Sequence, residues 1–304
     1  MSWILLAVIA HLFYAAVFVL DKYLLKRGFP NPLSYAFWGS ILSIFVILLA
    51  PFGFTIPQGS QIIFSLITGL IWFLAVIIFY TALYKGESSR VVPTVGSLIP
   101  IFTLALSFLF LGERLSLKQL LAFCLLVIGG ATLSFLISKT RIFSSHNKIQ
   151  LIKAFLPALG SAFIFSIYFV MTKFVFTEQG FISGLIWIRV GAAMSAVLLL
   201  LFPNFRKIIF KKRLIVNKTK VFKFFLSTKI LEAIAGLLFY WAIFLGSVSL
   251  VNSLKGIQYL FLLLFAFLLF RKIPDLKEQF SKVALVQKII SIFLITIGLA
   301  LLVL

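Results

Sequence analysis

Residues 61–83 read QIIFSLITGLIWFLAVIIFYTAL, 23 positions without an Asp, Glu, Lys or Arg. A helix rises about 1.5 Å per residue, so such a run reaches about 35 Å, enough for the ~30 Å hydrocarbon core of a bilayer. The stretch therefore predicts a transmembrane helix. Barrel strands need only ~10 residues and alternate in polarity, which this run does not. A helix satisfies its own backbone hydrogen bonds in lipid.

Working outward, similar runs recur along the whole chain. Spans are expected at 2–21, 34–51, 61–83, 91–111, 118–137, 154–176, 182–202, 227–246, 249–270 and 285–304. The expected fold class is an all-α integral membrane protein with ten transmembrane helices. Composition agrees: 62% of residues are hydrophobic, 12% are charged, and the mean hydropathy is +1.19. A water-soluble domain of this length could not cover that apolar surface. No small-residue cleavage site follows the first run, so it is expected to be retained. Cys124 is the only cysteine and cannot form an internal disulfide.

The formal charge of +21 does not point to nucleic acid, because the bases lie in the links between spans. The links after odd-numbered spans hold 21 Lys and Arg, whereas the opposite links hold Arg114 and Lys118. The positive-inside rule then places both termini outside. Turn formers such as Gly28-Phe29-Pro30-Asn31-Pro32 and Pro51-Phe52-Gly53 mark short links. Two links are longer. Residues 138–153 divide the chain near its middle. Residues 203–226 alternate eight bases with Phe, Ile and Leu, and read either as an ordinary cytoplasmic loop or as a segment lying on an anionic leaflet.

The two halves resemble each other. Residues 79–86, FYTALYKG, match residues 239–246, FYWAIFLG, at an offset of 160, and Gly96 matches Gly256 at the same offset. Lys22 and Trp38 correspond more loosely to Lys173 and Trp187. An odd number of spans per unit inserts the second unit upside down. The expected architecture is two inverted five-helix repeats, 1–137 and 154–304, with 138–153 as linker and a substrate path between them.

Residues 79–133 carry a resemblance to a known family. Pro100 lies within the fourth span, Gly112-Glu113-Arg114 marks its exit, and Gly129-Gly130 lie in the fifth. This stretch resembles the signature of EamA-like proteins in the drug/metabolite transporter superfamily. The second half is less similar: Leu260 stands where Pro100 would recur, and Phe270-Arg271-Lys272 replaces the Gly-Glu exit. Trp187 and Arg189 fit the family's arginine in the second span of a unit. The resemblance implies a ten-helix carrier of small metabolites, amino acids among them. It also implies cytoplasmic termini, against the charge count.

Ionisable groups inside spans are costly and usually kept off lipid. Lys173, Arg189, Glu232 and Lys255 stand out. Lys173, near a helix end, reads most simply as snorkelling. Arg189 and Lys255 fall about 10 Å from the same face at ~1.5 Å per residue, with His11 at similar depth. They read either as an anion site or as separately partnered cations. Glu232 has three readings: partner of a base, proton carrier, or a residue near a wet entrance. Asn252, Lys255 and Tyr259, with Gln258 beside them, form a polar stripe facing either a cavity or neighbouring helices. In the first half Trp72, Tyr80 and Pro100 occupy the matching level, Trp72 being the 160-offset counterpart of Glu232. Tyr14, Tyr168 and Tyr240 add amphipathic aromatics, each readable as packing or as substrate contact. Glu113, at the helix exit, reads as structural.

None of the seven carboxylates pairs with another at a catalytic spacing, and His11 and His146 lie far apart. No metal-ligand pattern or phosphate loop appears, so no enzyme, metal or cofactor is expected. The expected partners are a small-molecule substrate and the lipid bilayer. A lipid-linked-sugar flippase and a non-transporting scaffold remain as other readings. A wide lateral opening would favour the flippase over a small closed cavity.

Overall fold

The computed structural model of the chain describes residues 2–27, 29, 31–85, 88–139, 148–210, 218–269 and 282–304. Among the described residues the α-helices are α1 Trp3–Arg27, α2 Pro32–Leu42, α3 Gly59–Lys85, α4 Ser88–Leu111, α5 Leu117–Lys139, α6 Lys148–Gln179, α7 Phe181–Leu198, α8 Pro203–Ile209, α9 Lys218–Leu245, α10 Val248–Ser253, α11 Lys255–Leu269 and α12 Lys282–Val303. Two 3-10 stretches, Ser43–Phe52 and Leu199–Leu201, extend α2 and α7. Among the described residues there is no strand. Residues 140–147 of the linker, Lys211, Lys212 and Arg213, Gly86 of the repeat and the Phe270-Arg271-Lys272 exit lie outside the described residues.

Among the described residues, eight helices are long and apolar enough to cross a membrane. Two further expected spans are not among these eight. Helix α5 contributes a shorter described apolar stretch, Leu117–Leu133. The ninth span is split: Leu254 interrupts it between α10 and α11, where the Ile257 N–H bonds the Leu254 carbonyl at 2.9 Å in a tighter turn. Of the bases of 203–226, Arg206 and Lys207 lie in the short helix α8 and Lys218, Lys220 and Lys223 at the start of α9. Asn31 Nδ2 and Ser34 Oγ bind α8 by donating to the Ile208 and Ile209 carbonyls, both at 2.8 Å.

Packing is reciprocal between the halves. Helix α6 lies against α3 and α4, while α1 lies against α9 and α11, and α5 pairs with α12. Helix α3 also crosses α7 at Gly69 and Gly191, where a methyl group on either glycine would overlap the other helix's backbone. Close backbone approach through small residues is how helices associate in lipid, where apolar burial provides no drive.

The Gly112-Glu113 exit has a local explanation. Gly112 takes the left-handed conformation, φ 63°, which glycine adopts without a Cβ penalty. That ends α4 and turns the Glu113 N–H back to the Ser107 carbonyl at 3.2 Å. The Glu113 carboxylate then accepts from Ser249 Oγ of α10 at 2.5 Å, and Ser249 also meets Ser107 Oγ at 2.6 Å. The pair thus fixes the end of α4 to the start of α10.

Candidate functional site

Helical periodicity turns three stripes of side chains toward one space. Trp72, Val76 and Tyr80 recur every fourth residue on α3, and Leu185 and Arg189 do so on α7. On α9 the stripe runs Leu226, Ile230, Ala233, Leu237 and Tyr240, with Lys229 and Glu232 beside it. Helix α2 adds Tyr35, Ala36 and Gly39, and the 3-10 stretch adds Val46 and Leu49, three residues apart as one 3-10 turn requires. Together they enclose a cavity of about 430 Å³, within the ~300–1,000 Å³ range of small-molecule pockets.

One end of the cavity is an ionic cluster. Lys229 Nζ lies 2.6 Å from Glu232 Oε2 and 3.8 Å from Asp21 Oδ1. It also sits 4.3 Å from the centre of the Tyr35 ring. Tyr35 donates its hydroxyl to Asp21, and the Tyr80 hydroxyl donates to Asp21 Oδ2 at 3.4 Å. Each charge in this cluster has a partner, as a charge withdrawn from water requires.

The other cation is placed differently. Arg189 Nη2 donates to the Tyr240 hydroxyl at 2.8 Å, and that oxygen also accepts from Tyr168 at 2.9 Å. The Arg189 guanidinium lies 4.6 Å from the Trp72 ring centre and 5.0 Å from that of Tyr240. Among the described residues no carboxylate comes within ion-pair distance of it. Aromatic faces attract a cation without neutralising it.

The residues expected at a site therefore divide. Trp72, Tyr80, Arg189, Glu232 and Tyr240 line the cavity, with Tyr168 behind Tyr240. Glu232 takes Lys229, one turn earlier, as its base, and not Lys255. His11, Tyr14, Asn252, Lys255 and Gln258 are not on its wall. All but Tyr14, whose hydroxyl stands behind the cavity wall at Gly236, collect around the α10–α11 break, where His11 Nε2 lies 3.5 Å from the Val251 carbonyl and its ring packs edge-on against Phe239. Tyr14 packs edge-on against the same Phe239. Asn252 donates to the Val248 carbonyl at 2.9 Å, and Lys255 Nζ lies 5.6 Å from the Phe169 ring centre. Pro100 and Tyr259 border a void of only about 10 Å³ with Gly96, Gly130 and Gly256. Lys173 does more than snorkel: it donates to the carbonyls of Ile243, Phe244 and Gly246 at 2.9–3.0 Å, capping the end of α9.

Sequence reasoning missed Asp21, Lys229 and Tyr35. Asp21 and Lys229 fell at expected span boundaries, 21 and 227, where charge is ordinary. Helix α1 continues to Arg27 and α9 begins at Lys218, so both groups are well inside helices. The usable signal was the opposite sign of Asp21, Lys229 and Glu232 within apolar surroundings.

Residues 1–135 match the model of the EamA-like transporter family. The chain belongs to this family. Uncharacterized protein MJ1333.1 of Methanocaldococcus jannaschii is 32% identical over 134 residues, 43% of this chain and 95% of that protein. A solved structure described only as "Crystal structure of protein" is similar with a TM-score of 0.69 and 20% identity, covering 98% of this chain and 97% of that one. At that identity the likeness bears on the fold alone. It extends across the second half, which the family match does not reach. This EamA-like chain is thus a multi-pass membrane protein of a transporter family, and its cavity sits within the membrane-spanning helices.

Proposed function

We propose that the chain is a secondary transporter that exports small metabolites, amino acids or related compounds among them, across the cell membrane. It would work by alternating access, rocking residues 1–137 against residues 154–304 as two inverted five-helix repeats joined by 138–153. The observation that carries this reading is the cavity, because its walls come from both halves: α2 and α3 on one side, α7 and α9 on the other. The reciprocal packing of α1 and α6 supports it, as does the relative matched over 95% of its length by 134 residues, less than half of this chain. Ten spans result when α5 and the interrupted α10–α11 are counted with the eight longer helices. Interrupted helices are a frequent feature of transporter sites. The loop charges orient both termini outward. In this reading Arg189, with Trp72, Tyr80 and Tyr240, holds the solute, and Glu232 and Lys229 border it.

Flux of a labelled metabolite panel into proteoliposomes tests the proposal, beside a resistance screen with toxic analogues in expressing cells. A specific solute should move, and Arg189→Gln should lower its flux at least tenfold. Absence of flux for every solute, with a stable partner recovered in pull-down, would favour the scaffold reading.

A further inference from the structure

The cavity is closed on one side and open on the other. Helix α3 seals against α7 through Gly69 and Gly191. Its 160-offset counterpart α9 makes scarcely any backbone approach to α2. At the position matching Gly69 stands Lys229, whose side chain lies 3.5 Å from where a Cβ on Gly39 would be. Contacts between α9 and α2 gather at one end, where Phe225 packs against Tyr35 at 5.6 Å. The cavity wall from these two segments includes Phe45 and Leu48 of the 3-10 stretch and Leu226 and Ile230 of α9. All four line the cavity and are 63%, 72%, 39% and 55% exposed. They lie within the membrane-spanning segments Pro32–Phe52 and Val221–Leu245, so where they reach the outer surface the medium expected there is hydrocarbon.

The interior differs from this rim. Lys229 is met in direct contact by Asp21 and Glu232, whereas the direct contacts of Arg189 are rings and a hydroxyl, with Glu232 acting on it only from across the cavity. A wholly polar solute would leave the apolar edges unmatched. A plain hydrocarbon would leave the Arg189 charge without an anion in direct contact, in a place where charge is costly. Resting on the transport reading above, we propose that the cavity takes an amphiphilic organic anion. Its acidic head lies at Arg189, and its single hydrocarbon tail leaves between α9 and the α2–3-10 segment into the bilayer.

The test uses the full chain in phosphatidylcholine nanodiscs with N-octanoylglycine carrying a diazirine in its tail. Cross-linked residues are mapped by mass spectrometry, with unlabelled N-octanoylglycine, glycine or octanol as competitors. Adducts should concentrate in residues 42–49 and 226–237. N-octanoylglycine should displace them at least tenfold, and neither glycine nor octanol should do so at equal concentration. Arg189→Gln should lower the yield about tenfold. Ala233→Trp, which fills the cavity from α9 and leaves Arg189 in place, should do the same. Adducts spread over all lipid-facing helices and indifferent to both variants would overturn the proposal. So would equal displacement by glycine, although the carrier reading would survive that result. Mapped adducts without flux of any solute in the panel would sink the carrier reading alone.

Discussion

Replacing Lys229 by Met removes the one cation that Asp21 and Glu232 share. At an effective dielectric of about 20, unit charges attract by about 6 kcal/mol at 2.6 Å and about 4 kcal/mol at 3.8 Å. Desolvation offsets most of that attraction, so the sum is not the stability at stake. What the variant exposes is the cost of stranded carboxylates, about 3–5 kcal/mol for one partner of a buried pair. Asp21 is 11% exposed at its side chain and Glu232 29%, so Glu232 can recruit water and the lower end applies. A loss of about 3 kcal/mol, at ~2 °C per kcal/mol for a large domain, lowers the melting midpoint by roughly 6 °C. Adding Asp21→Asn to Lys229→Met should recover at least ~1 kcal/mol, because Asn removes the stranded charge, its Oδ1 still accepts from Tyr35 and its Nδ2 can donate to the Tyr80 hydroxyl. Melting of the detergent-solubilised protein, followed by its loss from the monomer peak on size exclusion, measures both variants. A midpoint within 1 °C of the parent for Lys229→Met, or a further drop on adding Asp21→Asn, would refute the reasoning.

Three other substitutions test contacts elsewhere. Gly191→Leu should force α3 and α7 apart and cost at least ~1–3 kcal/mol by overpacking, seen as a lower midpoint and poor monomer recovery; an unchanged protein would show that the crossing is loose. Lys173→Met should leave three carbonyls at the end of α9 without their donor and cost about 1.5–3 kcal/mol. Faster proteolysis of the 245–248 link is the readout, and rates equal to the parent's would count against the cap. Ser249→Ala should cost about 1 kcal/mol by removing the donor to Glu113 and the partner of Ser107. Combining it with Glu113→Gln should add less than the two single losses, and full additivity would mean that the two residues do not interact.

Hydropathy made most of the helices legible, because an apolar run of spanning length has few other uses. It erred in two physical ways. Helix ends were set where apolarity faded, yet α9 starts nine residues before the expected 227 and α1 ends six after 21. That displacement hid Asp21 and Lys229, which looked like boundary charges. The ninth span was drawn as continuous because its apolar composition does not reveal the turn at Leu254. For Arg189 and Lys255, depth along the helix was compared, but the direction in which each helix turns its cation was not. Arg189 and Lys255 share a depth, yet Arg189 faces the cavity and Lys255 faces Phe169 near the α10–α11 break. Trp72 and Glu232, and Tyr80 and Tyr240, which the 160 offset aligns in sequence, all line one cavity.

The most direct measurement of whether that cavity is the solute's path is flux before and after filling it. In a chain carrying Cys124→Ala, which removes the one native thiol, Ala233→Cys places a thiol on the cavity wall. Lys118→Cys places one at an exposed position on α5. Both are treated with a quaternary-ammonium methanethiosulfonate, and complete modification is verified by intact mass. For the best-transported solute of the panel, the cavity account predicts at least a tenfold loss at position 233 and less than a twofold change at position 118. Fully modified Ala233→Cys protein that transports as well as the unmodified form would contradict it.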